Sequence, residues 1–176
     1  MARDAAADWR VHDGALHVTV ETFDLLDLQV MAHAFAAIAE EMGTVLVRGA
    51  LSPNIRERRD SSCALFDARG AMVAQAAHIP VHLGAMPEAV RAVIARRPQP
   101  GDVFLLNDPF TGGSHLPDLT LVEAVAHDGR VAAFTAVRPH HAHIGGMSPG
   151  SMAQGATPMI DASMYCSPTL ANEIPE

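Results

Sequence analysis

The stretch that most limits the fold is "LTLVEAVAHDGRVAAFTAV", residues 119–137. Two runs rich in β-branched and apolar residues flank His127-Asp128-Gly129-Arg130, and an Asp-Gly pair between such runs signals a tight turn with positive φ. An antiparallel hairpin is expected. In a hairpin the end of the second strand returns beside the start of the first. Whatever precedes Leu119 therefore lies next to whatever follows Val137. The chain reads "HLPD" (115–118) on one side and "RPHHAHIGG" (138–146) on the other, so two groups of polar donors are expected to meet.

Other segments are shorter and locally patterned. "WRVHDGALHV" alternates around Asp13-Gly14 and reads as a hairpin, assigned to an N-terminal extension over residues 1–20. From Asp24 the residues Leu25, Leu28, Met31, Ala32, Phe35, Ile38, Ala39 and Met42 recur at three and four, which draws one stripe along an amphipathic helix that Gly43 weakens or ends. "SSCALFDARGAMVAQ" reads as two short strands around Asp67-Ala68-Arg69-Gly70. "MPEAVRAVIARR" reads as a second helix, with Pro87 in its first turn and Arg96 and Arg97 at its C-terminal end. "VFLLND" is a buried strand. From Gly145 onward Gly, Ser, Pro and Met recur without a period, so loop or disorder is expected. The pattern predicts an α+β fragment of a larger domain, with a mixed sheet whose hairpins pack against amphipathic helices. Its body spans residues 21–152 and an irregular tail spans 153–176.

Composition narrows the function. With 176 residues, 49% of them hydrophobic, the chain can bury one core. A net charge of −8 without any run of Lys or Arg excludes a phosphate-tracking surface, so no nucleic-acid partner is expected. The first twenty residues carry acids where a signal peptide needs apolar residues, and no eighteen apolar residues run uninterrupted. No membrane partner and a cytoplasmic location are expected. Cys63 and Cys166 are far apart in sequence and supply neither a disulfide framework nor a zinc ribbon, which suits a reducing compartment.

The ten histidines carry the chemistry. His115 and Asp118 are three apart with Pro117 between them. A polyproline-like backbone would turn both to one side, as half of a divalent metal site; alternatively, Asp118 caps a turn and His115 is a plain loop residue. If the strand continues past Pro139, a period of two sets His140 with Arg138 on one face, and His141 with His143 on the other. Joined by the hairpin, the clusters offer nitrogen and oxygen donors without thiolate, which suits Zn, Mn or Fe(II). Asp60 precedes a strand as a fourth ligand, a general base or part of a charged surface with Arg56, Arg58 and Arg59. His78 and His82 are four apart, but Pro80 between them argues against a helical pair; substrate contact or turn structure is expected there. Asn107 and Asp108, followed by Pro109 and a Gly pair, form a loop that lets backbone approach a ligand.

Taken in order, "IAEEMG", "SPNIRERRDSSCALFDARGAMVAQAAHIPVHLGAM", "GDVFLLNDPFTGGSHLPDLTLV" and "HHAHIGGMSPGSM" resemble the N-terminal portion of the hydantoinase B/5-oxoprolinase family, which includes subunits of ketone carboxylases. The resemblance implies ATP-dependent hydrolysis of cyclic amides such as hydantoin or 5-oxoproline, with a hydantoinase A-type partner that binds the ATP, in a hetero-oligomer. It also implies a divalent metal held by His115, Asp118 and His140, with Asp60 as fourth ligand or base. His141 would then act in catalysis, and His78, His82, Asn107 and Asp108 would face a small-molecule substrate. Where the chain has His143, the family commonly has Asp. Hydantoinase B-type polypeptides extend much further, so the resemblance also allows a truncated copy, a non-catalytic remnant or partner-binding fragment, or a ketone carboxylase subunit.

Overall fold

The computed structural model describes residues 24–77, 82, 84–110 and 112–143 in full, and the backbone alone of 8–12, 15–19 and 164–166. The hairpin at its centre is β6 (Thr120–His127) paired with β7 (Arg130–Pro139). Asp128 and Gly129 both have positive φ, 48° and 72°, as a two-residue turn that matches strand twist requires. On the other side of β7 lies β3 (Ser61–Asp67), which pairs with β4 (Met72–Ala77). Beyond β6 come β5 (Val103–Leu106) and β8 (Met164–Cys166), so the six-stranded order is β4-β3-β7-β6-β5-β8. A separate two-stranded sheet joins β1 (Asp8–His12) and β2 (Ala15–Thr19), as the N-terminal alternation predicts.

The α+β class is the one expected. The sheet itself is antiparallel at every pairing rather than mixed in direction. Short turns join β3 to β4 and β6 to β7, and such connections reverse the chain. The aperiodic tail holds one element that composition did not reveal, the three-residue β8 on the edge of β5. Backbone pairing supplies that strand its order, and pairing leaves no trace in a local pattern.

Strand alternation divides the sheet into two faces. One carries Ala64, Phe66, Phe104, Leu106, Val122, Ala124, Phe134 and Ala136, and it packs on Met86, Ala89, Val90 and Val93 of helix α3 (Met86–Ile94) to form the core. Pro87 sits in the first turn of α3 as expected, but the helix stops at Ile94. Arg96 and Arg97 therefore follow it, and the basic residue of its last turn is Arg91. Each large side chain buried in this core contributes roughly 1.5–3 kcal/mol relative to exposure.

The opposite face, with Cys63, meets helix α1 (Leu25–Gly49), which packs along β3 and β4. Asp24 caps α1 by accepting from the Leu26 N–H at 3.3 Å. Gly43 does not end the helix. It is buried within it, as is Ala39, and the absence of a side chain there leaves room for close packing. A glycine in that position costs only about 1 kcal/mol of helix propensity, which tertiary burial offsets. Met31, Phe35 and Met42 of the expected stripe are half-buried beside Ala39, while Leu25 (76%), Leu28 (53%) and Ile38 (46%) are exposed. By length and composition alone α1 could cross a bilayer, although Asp27, Glu40, Glu41 and Arg48 lie along it. A further short helix, α2 (Pro53–Arg56), leads into β3.

Two measurements test this packing. Phe134 pairs with Phe66 on one side and Ala124 on the other and is 2% exposed; Phe134→Ala is expected to cost about 3–5 kcal/mol in urea unfolding. Burial, helped by the charge of Glu40, pushes the Cys63 thiol up from 9.0 to about 12. Its folded value thus exceeds the unfolded one. The contribution of the neutral thiol to stability is complete below pH 9.0 and is lost as pH rises toward about 12. At about pH 8, iodoacetamide with peptide mapping should leave Cys63 unmodified in the native chain and label it in urea.

Candidate metal centre

The end of the β6–β7 hairpin does what its sequence predicts. Past the regular register, Asp118 and His140 form one more antiparallel bridge. The His140 N–H donates to the Asp60 carbonyl at 2.9 Å and the His141 N–H to the Pro117 carbonyl at 3.0 Å, so the strand end is tied to both neighbours. The strand continues to Pro139 instead of stopping at Val137, because only backbone on β3 and the 107–118 loop is needed to hold it.

His115 and Asp118 reach the same side by a different route from the one expected. Asp118 N–H donates to the His115 carbonyl at 3.0 Å, which closes a turn, so the backbone there is not polyproline-like. The loop before it is tightly seated. Asp108 accepts from Phe110 N–H through Oδ1 at 2.9 Å, and its carbonyl accepts from Gly113 N–H at 2.8 Å. A Cβ on Gly113 would lie 2.5 Å from that same carbonyl oxygen, and Gly112 has φ +95° with its backbone pressed on Ala89. Only glycine tolerates such approaches.

The donor atoms converge. His140 Nδ1 lies 3.0 Å from Asp118 Oδ1 and 3.0 Å from His115 Nε2, while His115 Nδ1 is 3.2 Å from Asp118 Oδ2. One ligand atom from each of His115, Asp118 and His140 falls within 4.8 Å of the others. Ligands held about 2.1 Å from one ion at right-angled or tetrahedral positions lie about 3.0–3.4 Å apart, so the two 3.0 Å spacings from His140 Nδ1, to Asp118 Oδ1 and to His115 Nε2, suit ligands of a single cation. A second observation agrees. One nitrogen carries either a proton or a lone pair, and His140 Nδ1 cannot serve both of its neighbours well by hydrogen bonding. The nitrogen and oxygen donor set suits Zn, Mn or Fe(II). Asp118 is wholly buried, whereas His115 and His140 are half-buried and leave an approach from outside.

Around the trio sit further groups, of which the sequence does not single out Ser114. Ser114 Oγ donates to Asp118 Oδ2 at 2.5 Å. Arg138 is fully buried beneath the site: Nε donates to Thr120 Oγ1 at 2.7 Å and Nη2 to the Gly112 carbonyl at 3.1 Å. Burial lowers its pKa while the charge of Asp118 raises it, and a guanidinium stays cationic under such opposition. This cation ties β7 to the loop. Burial also pushes the His82 imidazole down, against the charge of Asp118, which keeps the ring neutral.

Several expected positions take other parts. Asp60 is not among the converging donors found among the described residues; its carbonyl anchors His140 and its charge acts on His82. His82 is 2% exposed, with Nε2 3.6 Å from Asp118 Oδ2, so it turns toward the trio and offers no surface to a substrate. Asn107 is 1% exposed and donates to the Leu116 carbonyl at 3.4 Å, so it braces the loop, while the half-buried Asp108 caps its own loop through Oδ1. His141 lies on the other face, as strand parity predicts, and lines an apolar groove of about 900 Å3 with Leu121, Val137 and residues of α1. Burial and the neighbouring His140 push its pKa down. His143 is exposed, and His78 lies outside the described residues. The placing of Ser114 and the burial of Arg138 beside Asp118 depend on how the loop lies against α3, which no local spacing announces.

The family model for hydantoinase B/oxoprolinase matches residues 24–170. A 5-oxoprolinase of Dictyostelium discoideum is 48% identical over 77% of this chain and 11% of its own length. The B component assigned to a D-/L-hydantoinase of a Pseudomonas species is 32% identical over 84% of this chain and 26% of its own. The chain therefore spans about a tenth of the 5-oxoprolinase it matches. Among solved structures, an ATP-dependent caprolactamase from Pseudomonas jessenii superposes with a TM-score of 0.59 at 28% identity, over 73% of this chain and 23% of that one. A nucleotide-free acetone carboxylase superposes with a TM-score of 0.64 at 22% identity, over 71% and 17%, a likeness of fold. The chain belongs to the hydantoinase B/oxoprolinase family.

Proposed function

We propose that this chain is the metal-bearing N-terminal part of a hydantoinase B-type unit that hydrolyses cyclic amides in an ATP-dependent system. The observation that carries it is the convergence of His115, Asp118 and His140 on one volume. A divalent ion there supplies Lewis acidity toward a carbonyl or phosphoryl oxygen. The protein's own part is to present two imidazoles and one carboxylate in a fixed array, with Arg138 below holding the loop and the strand end together. His141, kept neutral by burial and the neighbouring His140, lines the groove on the far face.

The substrate class follows the names of the relatives: 5-oxoproline, hydantoins and a lactam are cyclic amides. Family membership supports hydrolysis of that bond. ATP is assigned to a hydantoinase A-type partner, because the chain lacks the Gly-rich loop with Lys and Ser/Thr that cradles phosphates. The presence of a hydantoinase component among the relatives supports a system of several polypeptides. The exposed apolar residues of α1, Val30 at 60% and Val45 at 64% among them, support contact with further polypeptide. They equally favour a second reading, a partner-binding piece without turnover. We place the protein in the cytoplasm.

Metal content separates the two readings. The chain, loaded with Mn, Zn or Fe(II) and desalted, is expected to retain about one ion by elemental mass spectrometry, and His115→Ala or Asp118→Asn to retain less than about a tenth. No retained metal in the folded wild-type chain favours the partner-binding reading. Turnover supplies the second test: 5-oxoproline or hydantoin opening is expected only with an A-type partner and ATP, with ADP formed in step. Amide hydrolysis by the chain without ATP would sink the assignment of a partner.

A further inference from the structure

Asp118 is 0% exposed, and its two oxygens face different surroundings. Oδ1 lies beside His140 Nδ1 at 3.0 Å. Oδ2 accepts from Ser114 and lies 3.6 Å from His82 Nε2. The other nitrogen of His82, Nδ1, is 3.1 Å from the hydroxyl of Ser62 on β3. Both ends of this line are buried: His82 is 2% exposed and Ser62 is 0% exposed.

Serine, histidine and aspartate in a row invite comparison with a nucleophilic triad, but burial rules that out. A hydroxyl without exposed surface meets no substrate. The carboxylate only accepts, so the nitrogen facing it is best placed carrying a proton; Nδ1 then presents a lone pair and the Ser62 hydroxyl donates to it. At 3.6 Å the His82–Asp118 contact is electrostatic and not a hydrogen bond. It adds His82 to Ser114 and His115 on the Oδ2 side of the carboxylate, while Oδ1 faces His140 Nδ1.

We propose that His82, oriented by Ser62, is a positioning residue that anchors the Asp118 carboxylate through Oδ2 so that Oδ1 is presented with His115 and His140 to a divalent cation. This rests on the reading of the trio as a metal centre. His115 is oriented in a parallel way, since Nδ1 lies 3.2 Å from Asp118 Oδ2 and Nε2 is left facing His140. Groups behind metal ligands typically govern affinity by about 10–100-fold.

Mn(II) binding to the full-length chain, followed by titration calorimetry, tests the assignment, with circular dichroism recorded on each variant. His82→Ala is expected to bind one ion about 10–100-fold more weakly than wild type, and Ser62→Ala to weaken it in the same direction but less. His82→Gln, which keeps an N–H near the position of Nε2, is expected to recover most of the affinity; it and Ser62→Ala decide the matter should His82→Ala fail to fold. In the Co(II)-loaded protein the visible d–d bands are expected to shift in His82→Ala, a change that mere loss of stability does not produce. Affinities of folded Ser62→Ala and His82→Gln and of folded His82→Ala all within about twofold of wild type would overturn the proposal. So would loss of binding in His82→Ala as complete as in His115→Ala, which would make His82 itself a ligand. A wild-type chain that binds no metal overturns the metal centre itself, before any variant is compared.

Discussion

Everything at the site depends on the antiparallel register of β6 and β7. Because Val122 faces Ala136 and Leu121 faces Val137, continuing the ladder past Leu119 sets Asp118 opposite His140. Directly opposed residues in an antiparallel pair hold their Cβ atoms about 4.5–5.5 Å apart, close enough for short side chains to touch. A slip of one residue would send His140 to the groove side and leave Asp118 buried without its partner. The apolar alternation of Phe134 and Ala136 against α3 opposes such a slip, so the same burial that stabilises the core also aligns the donors.

The buried charges around the trio form a connected system. Asp118 has no exposed surface, and an isolated carboxylate in that position would be strongly disfavoured. Ser114, His82, His115 and His140 surround its oxygens, and Arg138 places a cation nearby whose charge acts on it. Arg138 also binds the Thr120 hydroxyl and the Gly112 carbonyl, so the charge that balances Asp118 is the clamp on the loop carrying His115. Electrostatics and geometry are therefore set by the same side chains.

The sheet presents two unlike surfaces. Toward α3 it is closed by a continuous apolar core; toward α1 it leaves the groove beside His141, lined in part by Met42 and Leu46 of the helix. In α1 the small residues Ala39 and Gly43 are buried and permit close approach, with Met31, Phe35 and Met42 half-buried beside them. The outer face of α1 keeps Leu25, Leu26 and Val30 exposed.

How much of this was legible in the residues differs from element to element. The hairpin at Asp128-Gly129, the meeting of "HLPD" with "RPHH" and the opposite facing of His140 and His141 follow from turn chemistry and a period of two, both local properties of the chain. The end of α1 did not: Gly43 is an ordinary stop signal, and only the surface of β3 and β4 beneath it made continuation favourable. The parts taken by His82, Asn107 and Asp60 were likewise decided by depth, since spacing cannot tell a histidine turned inward against a carboxylate from one turned outward to a ligand. By itself, the sequence determined which residues could meet, because strand pairing and turns are written in short-range patterns. Tertiary structure alone decided which of them are buried together and which oxygen or nitrogen each presents, because burial and orientation arise from packing between segments far apart in the chain.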